Sequence, residues 1–97
     1  MDGVYETQIK SPMGNLNIRL ALKQNGNLID GMIEIMGSQN SLTTGKINGN
    51  KCFFSGEINN KGMSIKYNIM GELIEDILYI HAKTNMGEFK LEAKKIV

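Results

Sequence analysis

The chain has 97 residues and a formal net charge of +1, and 22% of its residues are charged. This length makes a single domain, spanning residues 1–97, with one modest hydrophobic core. The nearly balanced charge excludes the basic surface that binds nucleic acid or an anionic membrane.

The cysteine content and the N-terminal residues predict the cellular compartment of the protein. Cys52 is the only cysteine, which excludes an internal disulfide and favours a reducing compartment. The stretch Met1–Glu6 lacks the basic and apolar regions of a signal peptide, and no apolar run approaches the roughly 20 residues that cross a bilayer. We therefore expect a cytoplasmic protein that does not enter a membrane.

Short apolar runs separated by turn residues predict the secondary structure. Eleven glycines punctuate runs rich in Ile, Leu, Phe, Tyr and Thr, at spacings of about 8 to 12 residues that are typical of an all-β barrel or sandwich. The predicted strands are, in chain order, Val4–Lys10, Leu16–Lys23, Leu28–Ile35, Ser41–Ile47, Lys51–Ile58, Met63–Ile69, Asp76–Lys83 and Glu88–Lys95.

Turn chemistry marks the connections. Ser11–Gly14 predicts a β-turn, since Pro is favoured at its second position and Gly at its fourth. Asn25-Gly26 and Asn48-Gly49 predict type I′ hairpins, because both central residues of that turn need a positive φ.

The segment Glu72–Lys83 allows two interpretations. Leu73, Ile77 and His81 lie at helical spacing, and acidic residues stand where a helix would begin. The stretch from Asp76 is short and rich in Ile and Tyr, however, and six strands precede it. We expect a loop followed by a strand, with a short helix within Glu72–Ala82 as the alternative.

Eight sequential strands with short connections most simply form an antiparallel up-and-down meander. Pairing the first strand with the last closes the meander into a barrel and removes both exposed edges. The predicted fold is therefore an all-β, eight-stranded barrel of the lipocalin or streptavidin type, whose interior is filled by side chains or holds one small ligand.

In a meander the connections alternate between the two barrel ends, and the Asn-Gly turns tighten one of them. Four methionines, residues that adapt to varied binding surfaces, gather at the other end: Met13, Met36, Met63 and Met86. We expect a mouth there that binds a small apolar or aromatic ligand, with Tyr67 and Tyr79 as further candidates. The alternative is that these Met side chains fold inward and cap the core.

Residues that support catalysis or metal binding are sparse. His81, the only histidine, has no carboxylate or nucleophile at a recognisable spacing, and no Cys/His cluster has metal-ligand spacing. Cys52 fits a small buried hydrophobe. Asp30 and Glu34 share one strand face; inside a barrel they would be an acid/base pair, but we expect that face to meet solvent or another subunit. We predict no metal and no cofactor.

The seventh predicted strand is apolar on both faces, with Ile77 and Tyr79 on one and Leu78 and Ile80 on the other. A barrel wall with an apolar outer face needs a cover, and a second copy of the chain is the simplest one. We therefore expect a homodimer.

The spacing of glycines and apolar residues in the first two hairpins resembles that of avidin-like and other calycin barrels, including small bacterial eight-stranded ones with Met-Gly turns. The residues that carry the resemblance are Gly3-x-Tyr5, Ser11, Gly14, Ile18, Gly26-x-Leu28, Gly31 and Glu34. It implies a small closed barrel with a ligand pocket along its axis. In avidins Trp residues line the biotin site, and this chain has no Trp, so biotin binding is not expected.

Three functions follow. The first is a non-enzymatic barrel that binds a small apolar or aromatic ligand at the Met-rich end. The second is an oligomeric accessory module that docks onto a partner enzyme, and the third is a small barrel enzyme that uses His81 or the Asp30/Glu34 pair. A cavity large enough for a ligand favours the ligand-binding barrel. A filled core with a broad apolar outer patch favours the accessory module, and a pocket beside His81 or the Asp30/Glu34 pair favours the enzyme.

Overall fold

A computed structural model describes residues 1–11, 14–35, 37–60 and 62–97, with only the backbone described for Ser11, Asn60 and Met63. This part of the chain contains β-strands and no helix. The strands are β1 (Gly3–Ser11), β2 (Gly14–Asn25), β3 (Leu28–Ile35), β4 (Ser38–Ser41), β5 (Gly45–Asn48), β6 (Lys51–Asn60), β7 (Met63–Ile74), β8 (Ile77–Thr84) and β9 (Gly87–Lys95).

The strands form the predicted eight-stranded, antiparallel, up-and-down barrel, in which β4 and β5 together make the fourth strand. Neighbours along the chain pair with one another, and β1 pairs with β9 to close the barrel. The molecule is 36 Å long and 22–23 Å across. The fold class predicted from alternation and turn residues is confirmed.

The prediction of one fourth strand over Ser41–Ile47 is wrong in detail, because the strand breaks at residues 42–44. At the break the Leu42 N–H donates to the Gly31 carbonyl at 2.8 Å, and the Thr43 N–H donates to the Tyr67 hydroxyl at 2.8 Å. The first bond continues the pairing with β3, the second joins the break to a side chain of β7, and the Leu42 side chain is buried in the core.

Two local predictions also need correction. The last ladder pairs of the two hairpins are Asn25↔Leu28 and Asn48↔Lys51, so their two-residue loops are Gly-Asn and begin at Gly26 and Gly49. In each loop only the glycine has a positive φ, of 62°, which matches a type II′ turn and not the predicted type I′ turn.

Between β7 and β8 there is neither helix nor long loop. β7 runs to Ile74 and β8 starts at Ile77, joined by a tight turn in which Glu75 has a φ of 57°. The helical spacing in this segment is therefore coincidental, and Ile77–Thr84 is a strand as expected.

The two ends of the barrel differ. At the end that holds the two Gly-Asn loops and both chain termini, called the closed end, Tyr5, Ile29 and Leu78 are each 0% exposed, and the partly buried Leu73 packs against this core. Met1 packs against this core, and the Tyr5 hydroxyl donates to the Met1 carbonyl at 3.0 Å. The N-terminal residues thus seal the closed end.

At the opposite end, called the Met-turn end, strand pairing is incomplete on two sides. The ladder between β1 and β9 contains only Tyr5↔Lys95 and Glu6↔Lys94, next to the closed end. On the other side β5 pairs with β6, whereas β4 pairs with β3 alone. Among the described residues, the barrel therefore divides toward the Met-turn end into two sheets, β1–β2–β3–β4 and β6–β7–β8–β9.

Candidate functional site

Half-buried aliphatic side chains line the inner wall at the Met-turn end. They face inward by the same strand alternation that buries the core, and together they form the mouth lining: Ile9, Leu16, Ile33, Ile35, Ile58, Ile65, Ile69, Ile80, Ala82 and Leu91. At the closed end the buried inward residues are at most 9% exposed. The apolar interior is therefore closed at one end and accessible to solvent at the other.

A small cavity lies inside the barrel, where the core meets the mouth lining. Its volume is about 70 Å³, and its walls include the core residues Tyr5, Phe54 and Leu78 and the mouth-lining residues Ile80 and Leu91. A fully enclosed site for benzene needs about twice this volume. The deep part of the interior therefore has room for only two or three carbon atoms.

Tyr67 is the polar residue that organises the middle of the interior. It is 5% exposed, and its hydroxyl accepts the Thr43 N–H across the gap between the two sheets. A Cβ at Gly56 would come within 2.6 Å of the Tyr67 hydroxyl and 2.3 Å of Thr43 Oγ1, so only glycine leaves room for this contact.

The predicted Met cluster is only partly described. Met13 and Met36 lie outside the described residues, and of Met63 only the backbone, at the start of β7, is described. Met86 lies in the β8–β9 connection with 59% of its surface exposed. Its position at the end where the mouth lining opens agrees with the topology from which the mouth was predicted.

The two predicted tyrosines do not share a site. Tyr67 faces the interior, whereas Tyr79 lies on the outer face of β8 and is 39% exposed. Its cross-strand partners are Glu72 and Glu92.

An outer apolar patch lies beside Tyr79. Phe53 and Met70 face each other across β6 and β7, and both are more than 40% exposed. Ile74 and Ile77, the last pair of the β7–β8 ladder, continue the patch toward the closed end. The outward orientation of Ile77 and Tyr79 is the one that the alternation of β8 predicts.

His81 lies on the same outer surface, where it contacts a carboxylate that spacing along the chain did not reveal. Its Nε2 makes a hydrogen bond with Glu88 Oε1, which the β8–β9 register places diagonally opposite. The hydrogen bond to His81 lowers the pKa of the exposed Glu88 carboxyl. Both groups lie on the outer surface, away from the apolar cavity.

Asp30 and Glu34 lie on the outer face of β3 and do not form an acid/base pair. Asp30 accepts a hydrogen bond from Thr44 Oγ1 at 2.8 Å, and Glu34 accepts one from Gln39 Nε2 at 3.1 Å. Each carboxylate has its own neighbour, which fits the solvent-facing surface expected for this face.

Cys52 is 2% exposed and free, as expected for a small buried hydrophobe. Burial raises the pKa of its thiol, which keeps it protonated and unreactive. No group of three or more His, Cys, Asp or Glu side chains among the described residues is arranged to hold a metal ion.

The topology predicted from the sequence places the Met-Gly connections together at one barrel end, but the aliphatic residues of the mouth lining were not predicted as part of a site. The missing signal was available, since the inward residues nearest the Met-Gly connections are nearly all Ile or Leu. What alternation does not show is that these residues are partly solvent-exposed, because their exposure depends on the shortened ladders between β1 and β9 and beside β4.

The fold and the site define a class: a small antiparallel barrel, closed at one end, with an apolar interior that meets solvent at the other. No protein-family model, curated protein or solved structure matches the chain. No helix in the described part of the chain is long and apolar enough to cross a membrane.

Proposed function

We propose that this protein binds a small apolar ligand inside the Met-turn end of the barrel. The observation that supports this most directly is the contrast along the barrel, from a core in which Tyr5, Ile29 and Leu78 are fully buried to an inner wall of half-buried aliphatic side chains at the other end. Exposed aliphatic surface on an inner wall is unfavourable in water, and a bound apolar molecule would cover it.

Cavity volume limits how such a ligand sits. The enclosed 70 Å³ accepts only the tip of a molecule, so most of the ligand would lie higher, against the mouth lining. The polar side-chain groups among the residues that line this cavity are the hydroxyls of Tyr5 and Thr7 and the thiol of Cys52, and none of the lining residues is an Asp, Glu, Lys, Arg or His. This composition suits binding rather than acid–base chemistry.

Two alanines provide a matched test. Ala82 faces the mouth, so a Trp side chain at this position would fill the interior. Ala21 faces outward from β2, so a Trp side chain there would leave the interior unchanged. We expect the wild type and Ala21→Trp to enhance the fluorescence of N-phenyl-1-naphthylamine, and Ala82→Trp to bind the dye about tenfold or more weakly. No binding by the wild type, or equal binding by both variants, would overturn the proposal, provided that circular dichroism shows both variants folded.

The outer apolar patch supports a second candidate, the oligomeric accessory module. Phe53, Met70 and Tyr79 are large for an exposed strand surface, and patches of this kind mark protein contacts. A homodimer would cover them, and docking onto a partner enzyme would do the same.

Met70→Glu tests this candidate, because a charge at the centre of the patch opposes its burial. Light scattering after size exclusion should show a dimer in the wild type and a monomer in the variant. Met32→Glu is the matched control, since Met32 is 41% exposed on the outer face of β3, away from the patch. A monomeric wild type excludes the homodimer.

We also propose that the chain belongs with the small bacterial calycin-like barrels and acts in the cytoplasm. The barrel topology and the free, buried Cys52 support these assignments. Recovery of the protein from the soluble fraction of its own cells, without a cleaved leader, tests the location.

A further inference from the structure

The two facing strand edges of β1 and β9 are unpaired over half their length. Beyond Glu6↔Lys94 the ladder stops, and residues 7–11 of β1 and 87–93 of β9 run on without pairing to each other. We call this stretch the β1–β9 seam. Each strand keeps its full ladder on its other side, β1 with β2 and β9 with β8.

Charge opposes closure of the seam at one position. If the existing register continued, Lys10 would lie directly opposite Lys90. Like charges directly opposite one another destabilise an antiparallel pair. The chain therefore carries a built-in obstacle to pairing its own two edges at this point.

The backbone of β9 at the seam presents hydrogen-bonding groups to an incoming strand. The Lys95 N–H points to the Asp76 carbonyl beside β8, and the Ile96 N–H points to the Val4 carbonyl on β1. Strand alternation then directs the N–H and C=O groups of Lys90 and Glu92 into the seam. Within the described residues, no strand pairs with them there.

A depression of about 690 Å³ on the surface of β7, β8 and β9 reaches this edge. Thr7 and Gln8 of β1 and Lys90, Leu91 and Glu92 of β9 line it at the seam, and the remaining lining residues lie on β7 and β8: Met70, Glu72, Tyr79, Ile80 and His81. Along β9 the side chains alternate between the apolar Phe89 and Leu91, which face inward, and charged residues, which face outward. Neither Lys90 nor Glu92 forms an ion pair within the described part of the chain.

We propose that the β1–β9 seam binds an extended peptide segment of another protein by strand addition to β9. The segment runs antiparallel to β9 and alternates apolar and charged residues, with an acidic residue opposite Lys90 and a basic one opposite Glu92. Main-chain hydrogen bonds to the free edge supply the affinity, and the alternate side chains supply the specificity. Its apolar side chains cover Leu91 and the neighbouring inner wall.

The sequence of β9 itself satisfies this pattern and serves as the probe. In an antiparallel pair centred on Leu91, a peptide Gly-Glu-Phe-Lys-Leu-Glu-Ala-Lys-Lys places its second Glu opposite Lys90 and its first Lys opposite Glu92. In the control peptide each Glu is replaced by Lys and each Lys by Glu. It therefore places like charges opposite Lys90 and Glu92, and it keeps the length and the apolar residues of the first peptide.

Fluorescence anisotropy of the labelled peptides with full-length protein tests the proposal. We expect the wild type to bind the β9 peptide about tenfold or more tightly than the charge-exchanged peptide. The double variant Lys90→Glu/Glu92→Lys should reverse that preference. Because both changes are on an exposed edge, the variant should remain folded, which circular dichroism checks.

Three results would overturn the proposal. One is no binding of either peptide to wild-type protein that is folded and monomeric. The second is a double variant that does not reverse the preference between the peptides. The third is a wild-type dimer that must dissociate before the peptide binds. That result would mean that a second copy of the chain occupies the unpaired edge of β9.

Discussion

At the scale of single residues, Tyr67 connects the two halves of the barrel. Its ring is buried in the core, and its hydroxyl accepts the N–H of Thr43 at the break between β4 and β5. This bond joins the break to the side chain of a residue in β7 and so helps to hold the break in one geometry. Tyr79, only twelve positions along the chain, faces outward and has no such role.

Tyr67→Phe tests this contact. Removing the hydroxyl leaves the Thr43 N–H without its acceptor, and we expect the free energy of unfolding to fall by about 1–2 kcal/mol. Urea denaturation measures the change, and Tyr79→Phe serves as the control with an expected change below about 0.5 kcal/mol. Equal effects of the two changes would contradict the assigned role of Tyr67.

The Glu88–His81 contact predicts a pH dependence. Because the pKa of Glu88 is lower in the folded than in the unfolded chain, its stabilisation is present above the unfolded value of about 4.3 and is lost as the pH falls through the lowered folded value. Glu88→Gln should therefore flatten the loss of Tm between about pH 5 and pH 3. The exposed Glu92→Gln is the control, and an identical profile for wild type and Glu88→Gln would refute the link.

At the scale of elements, the strands were predictable because their signals are local. Alternation in Leu16–Leu22 and the turn residues at Gly26 and Gly49 need only a few neighbouring positions to be recognised. The break at residues 42–44 was not predictable in the same way, since it depends on Tyr67, more than twenty positions away. The diagonal His81–Glu88 pair likewise appears only once the β8–β9 register is known.

Strand β9 should show alternating amide protection. Phe89 and Leu91 direct their N–H groups to β8, whereas Lys90 and Glu92 direct theirs into the seam. Hydrogen exchange followed by NMR should show that the amides of Lys90 and Glu92 exchange about tenfold or more faster than those of Phe89 and Leu91. Uniform protection of all four amides would mean that β1 and β9 are paired along their whole length in solution.

At the scale of the whole molecule, topology determines which connections share an end of the barrel. A meander sends alternate connections to opposite ends, so the sequence correctly separated the Gly-Asn loops from the Met-Gly connections. It did not reveal that the barrel divides into two sheets toward the second end, because pairing between β1 and β9 is a contact between the two ends of the chain. The proposed ligand site and the β1–β9 seam both arise from this division.

The central claim is that the interior is closed at one end and open to apolar molecules at the other. Isoleucine methyl groups report on both ends, with Ile29 and Ile47 in the closed core and Ile33, Ile58 and Ile80 on the mouth lining. The most direct measurement is a methyl NMR titration of isoleucine-labelled protein with N-phenyl-1-naphthylamine. We predict shifts at the three mouth isoleucines and none at Ile29 or Ile47; shifts confined to outer-face residues, or spread equally over all five, would contradict the account.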